Sequence, residues 1–505
     1  MSINIIASIV SFAVTVGINF FLTPYLVKEL GTEAYGFIGL SNNFVQYATV
    51  ITTALNSIAG RFISLEYHNG NKEKASKIFS SVLVADLFLA AVLLVASAFL
   101  TFYLDLFIDI PAKLITSVKI TFGFAFATFV VSTVTAIFTT AAFVKNRIDI
   151  NSIRDIISNL LKVALIVVLF TALPAKLYYI SMASFASGLF LLAANITVKK
   201  KILPDVKISF KNFDIKLVKI LLMSGIWLSL SQLCNVLMTG LDLLICNLTL
   251  GTLLMGMLSI AKTVPNSIGN LNVILGNVFT PHFTILYAKN KIDDLVDEAK
   301  FTSRIMSFIL MVPYAGFMAF GHQFYTLWQP TKTPEEITMI QIMSILTCVT
   351  YVFSCQTQSL MMLNTVCNKL KLPVFINLSI GLVSVGIVLI FVNTTDIGVY
   401  AIAGVSSILM ALRSIFFVPM YAAHLLKRKL TTFYPSIIRG WINFALLFVI
   451  FAFINSLFTL DSWVKLVAVC AAAAVIGYII SAVVLFKKSE LKKILNKVTG
   501  KFKKA

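Results

Sequence analysis

Apolar runs of about 18 to 26 residues follow one another along nearly the whole chain, each long enough to cross the ~30 Å hydrocarbon core as a helix. No other feature constrains the fold so tightly. Backbone at membrane depth must satisfy its own N–H and C=O groups, which confines such runs to helices. Composition agrees where it bears on the point: 59% of residues are hydrophobic and 12% charged, about half the charge of a soluble chain. The expectation is an all-α integral membrane protein.

Fourteen transmembrane helices are read, at 3–26, 37–60, 79–104, 114–143, 156–174, 178–198, 217–249, 254–280, 304–328, 339–363, 374–393, 398–426, 441–459 and 463–486. The first run has no basic n-region and no small-residue cleavage site, so it reads as a span rather than a signal. Of 41 Lys and Arg, 32 fall in one alternating set of loops and the tail. The other set holds only Lys28, Lys113, Lys176, Lys332 and Lys465. By the positive-inside rule the basic side is cytoplasmic. Both termini then lie inside, which an even span number requires.

The net charge of +20 is thus mostly topological. It is scattered over short loops, which implies no nucleic-acid partner. The lysine-rich tail, 487–505, suits anionic membrane lipids. The six cysteines lie in or beside apolar runs without a CxxC pair, and the four histidines show no ligand spacing. No Gly-rich phosphate loop occurs. No metal, cofactor or catalytic residue is expected.

The chain repeats itself at an offset of 220 residues. Leu30, Gly31, Thr32 and Gly36 of "LGTEAYGFIGLS" fall on Leu250, Gly251, Thr252 and Gly256 of "LGTLLMGMLSIA", and Tyr67 falls on Tyr287. Six spans separate the copies, so both enter the membrane in the same direction, as parallel repeats do. Residues 1–200 form one six-helix lobe and 201–430 a second, after a basic linker. Two further helices occupy 431–486. Gly31 and Gly251 suit the left-handed position that ends a helix, making a tight hairpin.

The helix after each hairpin carries a polar stripe. Asn42, Gln46, Thr49, Thr53 and Asn56 recur at helical spacing, and so do Ser259, Lys262, Asn266 and Asn270. Facing lipid, either stripe would cost several kcal/mol, so each is expected to face protein or a wet cavity between the lobes. Four basic residues fall within spans away from the cytoplasmic and outer loop clusters: Lys119, Lys162, Lys262 and Arg413. Lys119 is expected to snorkel. Asp86 and Lys162 share a depth and are candidates to pair. Asp242 and Lys262 flank Gly251 at depths within about 3 Å, either as an ion pair or with Lys262 switching to an anionic substrate. Arg413 grips phosphate oxygens bidentately in such a setting.

The fourteen spans, the "LG…YG" hairpin, "GLDLLICNLTLG" and the Pro281, Phe283 and Tyr287 pattern resemble the Wzx-type polysaccharide flippases of the MOP superfamily, over roughly residues 1–490. The resemblance implies a MOP/MATE-like bundle. It would move undecaprenyl-diphosphate-linked oligosaccharide from the cytoplasmic to the outer leaflet of the bacterial inner membrane, by alternating access. Lys262 and Arg413 would then meet the diphosphate, and Asn42, Gln46, Asn56, Asn266 and Asn270 the sugar. Asp242, Asp86 and Lys162 would serve coupling or ion pairing. Glycosyltransferases and a glycan polymerase of the same pathway are the implied partners. The alternatives are a MATE-type cation-coupled drug exporter, a lipid II flippase, and a membrane glycan polymerase. The absence of Arg from spans 1 and 7 counts against the second. Short outer loops with only Asp105 and Asp109 as an acidic pair count against the third.

Overall fold

A computed structural model describes residues 2–486; the tail with its expected lipid adhesion lies outside them. The described residues form helices and no strands. In chain order these are α1 (Ser2–Leu30), α2 (Thr32–His68), α3 (Lys72–Phe102), α4 (Ile115–Val144), α5 (Ile148–Ala172), α6 (Tyr178–Ile202), α7 (Ile215–Asn235), α8 (Asp242–Leu250) and α9 (Thr252–Ala288). There follow α10 (Ile292–Trp328), α11 (Pro334–Ser354), α12 (Gln358–Val366), α13 (Lys371–Thr394), α14 (Gly398–Leu412), α15 (Val418–Leu425), α16 (Tyr434–Leu457) and α17 (Trp463–Leu485).

Among the described residues, twelve helical stretches are long and apolar enough to cross a membrane. The long helices outside that set are α2 and α9, whose polar stripes dilute their hydropathy. The count of fourteen therefore rests on those two. Three expected spans are also less regular than their sequence suggests. A π-helical turn, Val236–Gly240, joins α7 to α8, and another, Arg413–Phe417, joins α14 to α15. The tenth span breaks between α11 and α12.

By contacts the chain divides into two compact units, Met1–Ile260 with Val374–Leu389, and Ala261–Pro373 with Ile390–Ala505. Packing thus groups α7, α8 and most of α13 with α1–α6. The division at 200, 430 and 486 is a proposal about the repeat, which orders helices by sequence rather than by packing.

The repeat is exact in register at the ends of α2 and α9. Both are 37 residues long. Gly31 has φ 85° and ψ 161°, and Gly251 φ 90° and ψ 174°. This is not the left-handed helical position expected from the sequence but the extended positive-φ region open essentially to glycine alone. At the far end the Asn71 N–H bonds to Glu66 O at 2.9 Å and the Lys291 N–H to Leu286 O at 3.0 Å. The left-handed residue between is Gly70 in one copy and Asn290 in the other.

In the first unit, Leu55, Ala59 and Ile63 of α2 pack with Phe79, Val82 and Ile137, and with Leu203 and Val206 of the linker. Three serines of α3 hold that linker. Ser76 Oγ accepts the Lys207 N–H at 3.0 Å, Ser80 Oγ the Ser209 N–H at 3.1 Å, and Ser81 Oγ the Asp214 N–H at 2.9 Å. Helix α7 approaches α2 so closely that a Cβ on Gly225 would sit 1.8 Å from Ala54 O. The repeated glycines also meet. A Cβ on Gly36 would lie 2.9 Å from the Gly256 Cα, and one on Gly256 would lie 2.2 Å from Thr32 O.

The second unit centres on Leu310 and Tyr314 of α10, Val352 of α11, Leu447 and Phe451 of α16, and Ala473 of α17. Prolines recur here, and each strips the donor from the carbonyl four residues earlier. In three cases a tyrosine hydroxyl replaces it. Ala261 O, orphaned by Pro265, accepts Tyr325 Oη at 3.3 Å and Ser344 Oγ at 2.8 Å. Ile309 O, orphaned by Pro313, accepts Tyr478 Oη at 3.3 Å. Ile415 O, orphaned by Pro419, accepts Tyr434 Oη at 2.8 Å.

Candidate functional site

In the first unit the α2 stripe divides. Asn42 is exposed and Gln46 half-buried. Further along, the stripe is committed to neighbours: Gln232 Nε2 donates to Thr49 Oγ1 at 3.2 Å, and Asn56 Nδ2 donates to Asp86 Oδ1 at 3.1 Å. Asp86 is wholly buried, so Asn56 is an internal partner of a buried carboxyl rather than an open lining group. The residues between stripe positions act too. Asn43 Nδ2 and Tyr47 Oη donate to Gly240 O at 2.8 and 2.7 Å, satisfying a carbonyl at the π-helical turn. Asp242 follows at the start of α8, 7% exposed.

The expected Asp86–Lys162 pair does not form. Asp86 takes the Asn56 amide, and among the described residues no carboxylate lies within 4.0 Å of Lys162. The sequence reading also missed a polar seam. Asn151, Asp155, Asn159 and Lys162 recur along α5 at the spacing that marked α2, and Ser11, Thr15, Asn19 and Thr23 do so along α1. Asn159 Nδ2 donates to Thr15 Oγ1 at 3.0 Å. The periodicity was there to be found.

In the second unit, Lys262 and Arg413 are 9% and 7% exposed. Arg413 opens the π-helical turn and directs Nη2 at Met361 Sδ, 3.5 Å away. On α9, Asn266 and Asn270 are exposed, and Asn266 Oδ1 accepts Tyr351 Oη at 2.9 Å. Gly269 seats this segment on the Tyr351 ring, where a Cβ would come within 2.4 Å of Cε1. Arg304, at the start of the expected span 304–328, is also buried. Buried cations beside exposed amides can bind an anion that carries hydroxyl groups.

The family described as polysaccharide biosynthesis protein matches residues 3–286. The uncharacterized membrane protein EpsK of Bacillus subtilis (strain 168) is 27% identical over 467 residues, 92% of each chain. Among solved structures, the lipid II flippase MurJ in an inward closed conformation superposes with a TM-score of 0.69 at 14% identity, over 96% of this chain and 98% of that one. An inward-facing multidrug resistance MATE family transporter of the MOP superfamily superposes with a TM-score of 0.65 at 15% identity, over 83% of this chain and 95% of the other. Such identities speak for the fold, and the fold is the MOP one.

Proposed function

This chain belongs to the polysaccharide biosynthesis protein family, and from that premise we propose that it is a flippase for lipid-linked oligosaccharide. Its substrate is an undecaprenyl-diphosphate-linked unit, carried by alternating access from the cytoplasmic to the outer leaflet of a bacterial plasma membrane. The observation that carries this reading is the α9 face. Lys262, Asn266 and Asn270 follow one another at helical spacing, the amides exposed, on a helix flanked by apolar spans. A polar face at that depth suits a wet, sugar-bearing headgroup better than a hydrophobic drug. Lys262 and Arg413 bind phosphate oxygens by charge-assisted hydrogen bonds of about 1.5–3 kcal/mol each. Asn42, Gln46, Asn266 and Asn270 exchange hydrogen bonds with sugar hydroxyls. The prenyl tail stays in lipid. The distribution of basic residues supports cytoplasmic termini, and enzymes that build and polymerise the glycan are the partners this role requires.

The test uses proteoliposomes loaded with a labelled polyprenyl-diphosphate oligosaccharide and an external glycosidase. The glycan should become accessible faster than in empty liposomes, and Lys262→Ala or Arg413→Ala should slow it at least tenfold while leaving protein levels unchanged. Accessibility no faster than in empty liposomes, together with expulsion of a cationic dye against a Na⁺ or proton gradient, would replace the flippase by the drug exporter.

A further inference from the structure

The seam between α1 and α5 holds a cation that the rest of the fold does not explain. Lys162 is the fifteenth of 25 residues in α5. At 1.5 Å per residue it stands about 15 Å from one end and 21 Å from the other. From the expected start of the span at residue 156, however, it is only six residues, about 9 Å, and the four-carbon stem covers part of that distance. The side chain is half-buried, and among the described residues it has neither a hydrogen bond nor an ion pair.

Its surroundings are polar. Asn159, one turn away, donates to Thr15 of α1. Higher up, the Tyr25 and Phe170 rings pack at 5.8 Å. The two contacts put α1 and α5 in parallel register and align Lys162 with residues 17–18. Asn19 beyond it and Asp155 below it are both exposed. Asp155 stands just before the expected span 156–174, and within it an amide and an ammonium are costly against hydrocarbon.

We infer that Lys162, flanked by Asn19 and Asn159, is an anion site for the phosphate of a lipid headgroup, and that its occupant is the diphosphate of the transported lipid. The inference rests on the flippase reading and concerns the first unit by itself. Asn159 is anchored on Thr15 and pre-positions its amide, while Asn19 is available to a phosphate or to the first sugar. A membrane phospholipid would present the same chemistry, and the experiment separates the two.

Farnesyl diphosphate and farnesol are titrated into full-length protein in phosphatidylcholine nanodiscs, with and without phosphatidylglycerol. Lys162→Gln should raise the Kd for farnesyl diphosphate about tenfold or more, the worth of one charge-assisted bond, and leave farnesol unchanged. Lys162→Arg should retain most of the affinity. Asn159→Ala should weaken the diphosphate less than Lys162→Gln does. Wild-type affinity in Lys162→Gln overturns the inference. So does displacement of farnesyl diphosphate by phosphatidylglycerol in the wild type but not in the variant, which assigns the cation to the membrane. The thermal midpoint guards against misfolding. Removing an unpaired cation should leave it level or raise it, and a fall shared by Lys162→Gln, Lys162→Met and Lys162→Arg would make the residue structural and the inference wrong. If the inference alone fails, Lys262→Gln still weakens the diphosphate. If wild type binds farnesyl diphosphate no better than farnesol, the flippase reading fails with it.

Discussion

Helices α2 and α9 share their length, their glycine entry and their exit hydrogen bonds, residue for residue at an offset of 220. Between those ends they diverge. Helix α2 has no proline, and much of its polar face is tied into neighbours: Asn43 and Tyr47 to Gly240 O, Thr49 to Gln232, Asn56 to Asp86. Helix α9 carries Pro265 and Pro281 and leaves Asn266 and Asn270 exposed. The shared ends answer to steric rules that few residues satisfy: a positive φ at the entry and a bare Cα where Gly36 meets Gly256. The middles answer to partners, and the partners differ. A duplicated helix keeps its punctuation and changes its chemistry.

The comparison breaks most sharply at the glycines. Gly256→Ala would push a Cβ to 2.2 Å from Thr32 O, whereas one on Gly36 would meet the flexible end of Met255 at 2.8 Å and the Gly256 backbone only at 2.9 and 3.0 Å. Gly256→Ala should therefore cost about 3 kcal/mol and Gly36→Ala about 1 kcal/mol, read as thermal midpoints in detergent. Equal losses would mean that the contact can relax from either side.

Next comes the proline that α2 lacks. Tyr325→Phe with Ser344→Ala leaves Ala261 O bare and should cost about 1–3 kcal/mol. In a Pro265→Ala background, the restored N–H at position 265 takes that carbonyl, and the same pair of substitutions should cost less. An undiminished cost would show that the hydroxyls stabilise through packing alone.

A smaller effect is expected on α2. Tyr47→Phe leaves Asn43 still donating to Gly240 O, so the loss should stay near 0.5–1.5 kcal/mol, while the double variant Tyr47→Phe, Asn43→Ala should lose more than the sum of the singles. Additive losses would mean that the π-helical turn does not need this cap.

The smallest effect concerns the linker that follows the first six helices. Lys72 and Lys77 hold the Asp205 and Asp214 carboxyls below the usual carboxylate range through direct hydrogen bonds. A depressed folded pKa contributes stability above the unfolded value, near 3.9, and that contribution is lost as pH falls through the folded value. Exchange protection of the Lys207, Ser209 and Asp214 amides, corrected for intrinsic rate, should stay flat from pH 7 to about 5 and decline only below about 4. A decline near pH 6 would point to another group.

Much of the architecture was legible in the sequence because its signals are local. Run length and composition give the membrane class, and helical spacing gives the α2 and α9 faces. The same spacing rule marks the α1–α5 seam, whereas depth alone makes Asp86 no more than a candidate partner for Lys162. Depth is one coordinate, and a pair needs three. Asn56 shows the same limit: its place in a stripe was correct, yet it faces α3 and a buried carboxyl rather than open space.

Neighbours in the chain decide which segments are apolar, where a helix must turn through a glycine, and at what interval the pattern recurs. Only the tertiary structure decided which carbonyls are orphaned and which groups rescue them. Pro265 announces a missing N–H, but the hydroxyls that answer it come from Tyr325 and Ser344, 64 and 83 residues from the carbonyl they cap. The same holds for Gly36 against Gly256 and for Asn43 against Gly240. Each brings together residues far apart in sequence, set by how whole helices pack, and no local periodicity encodes it.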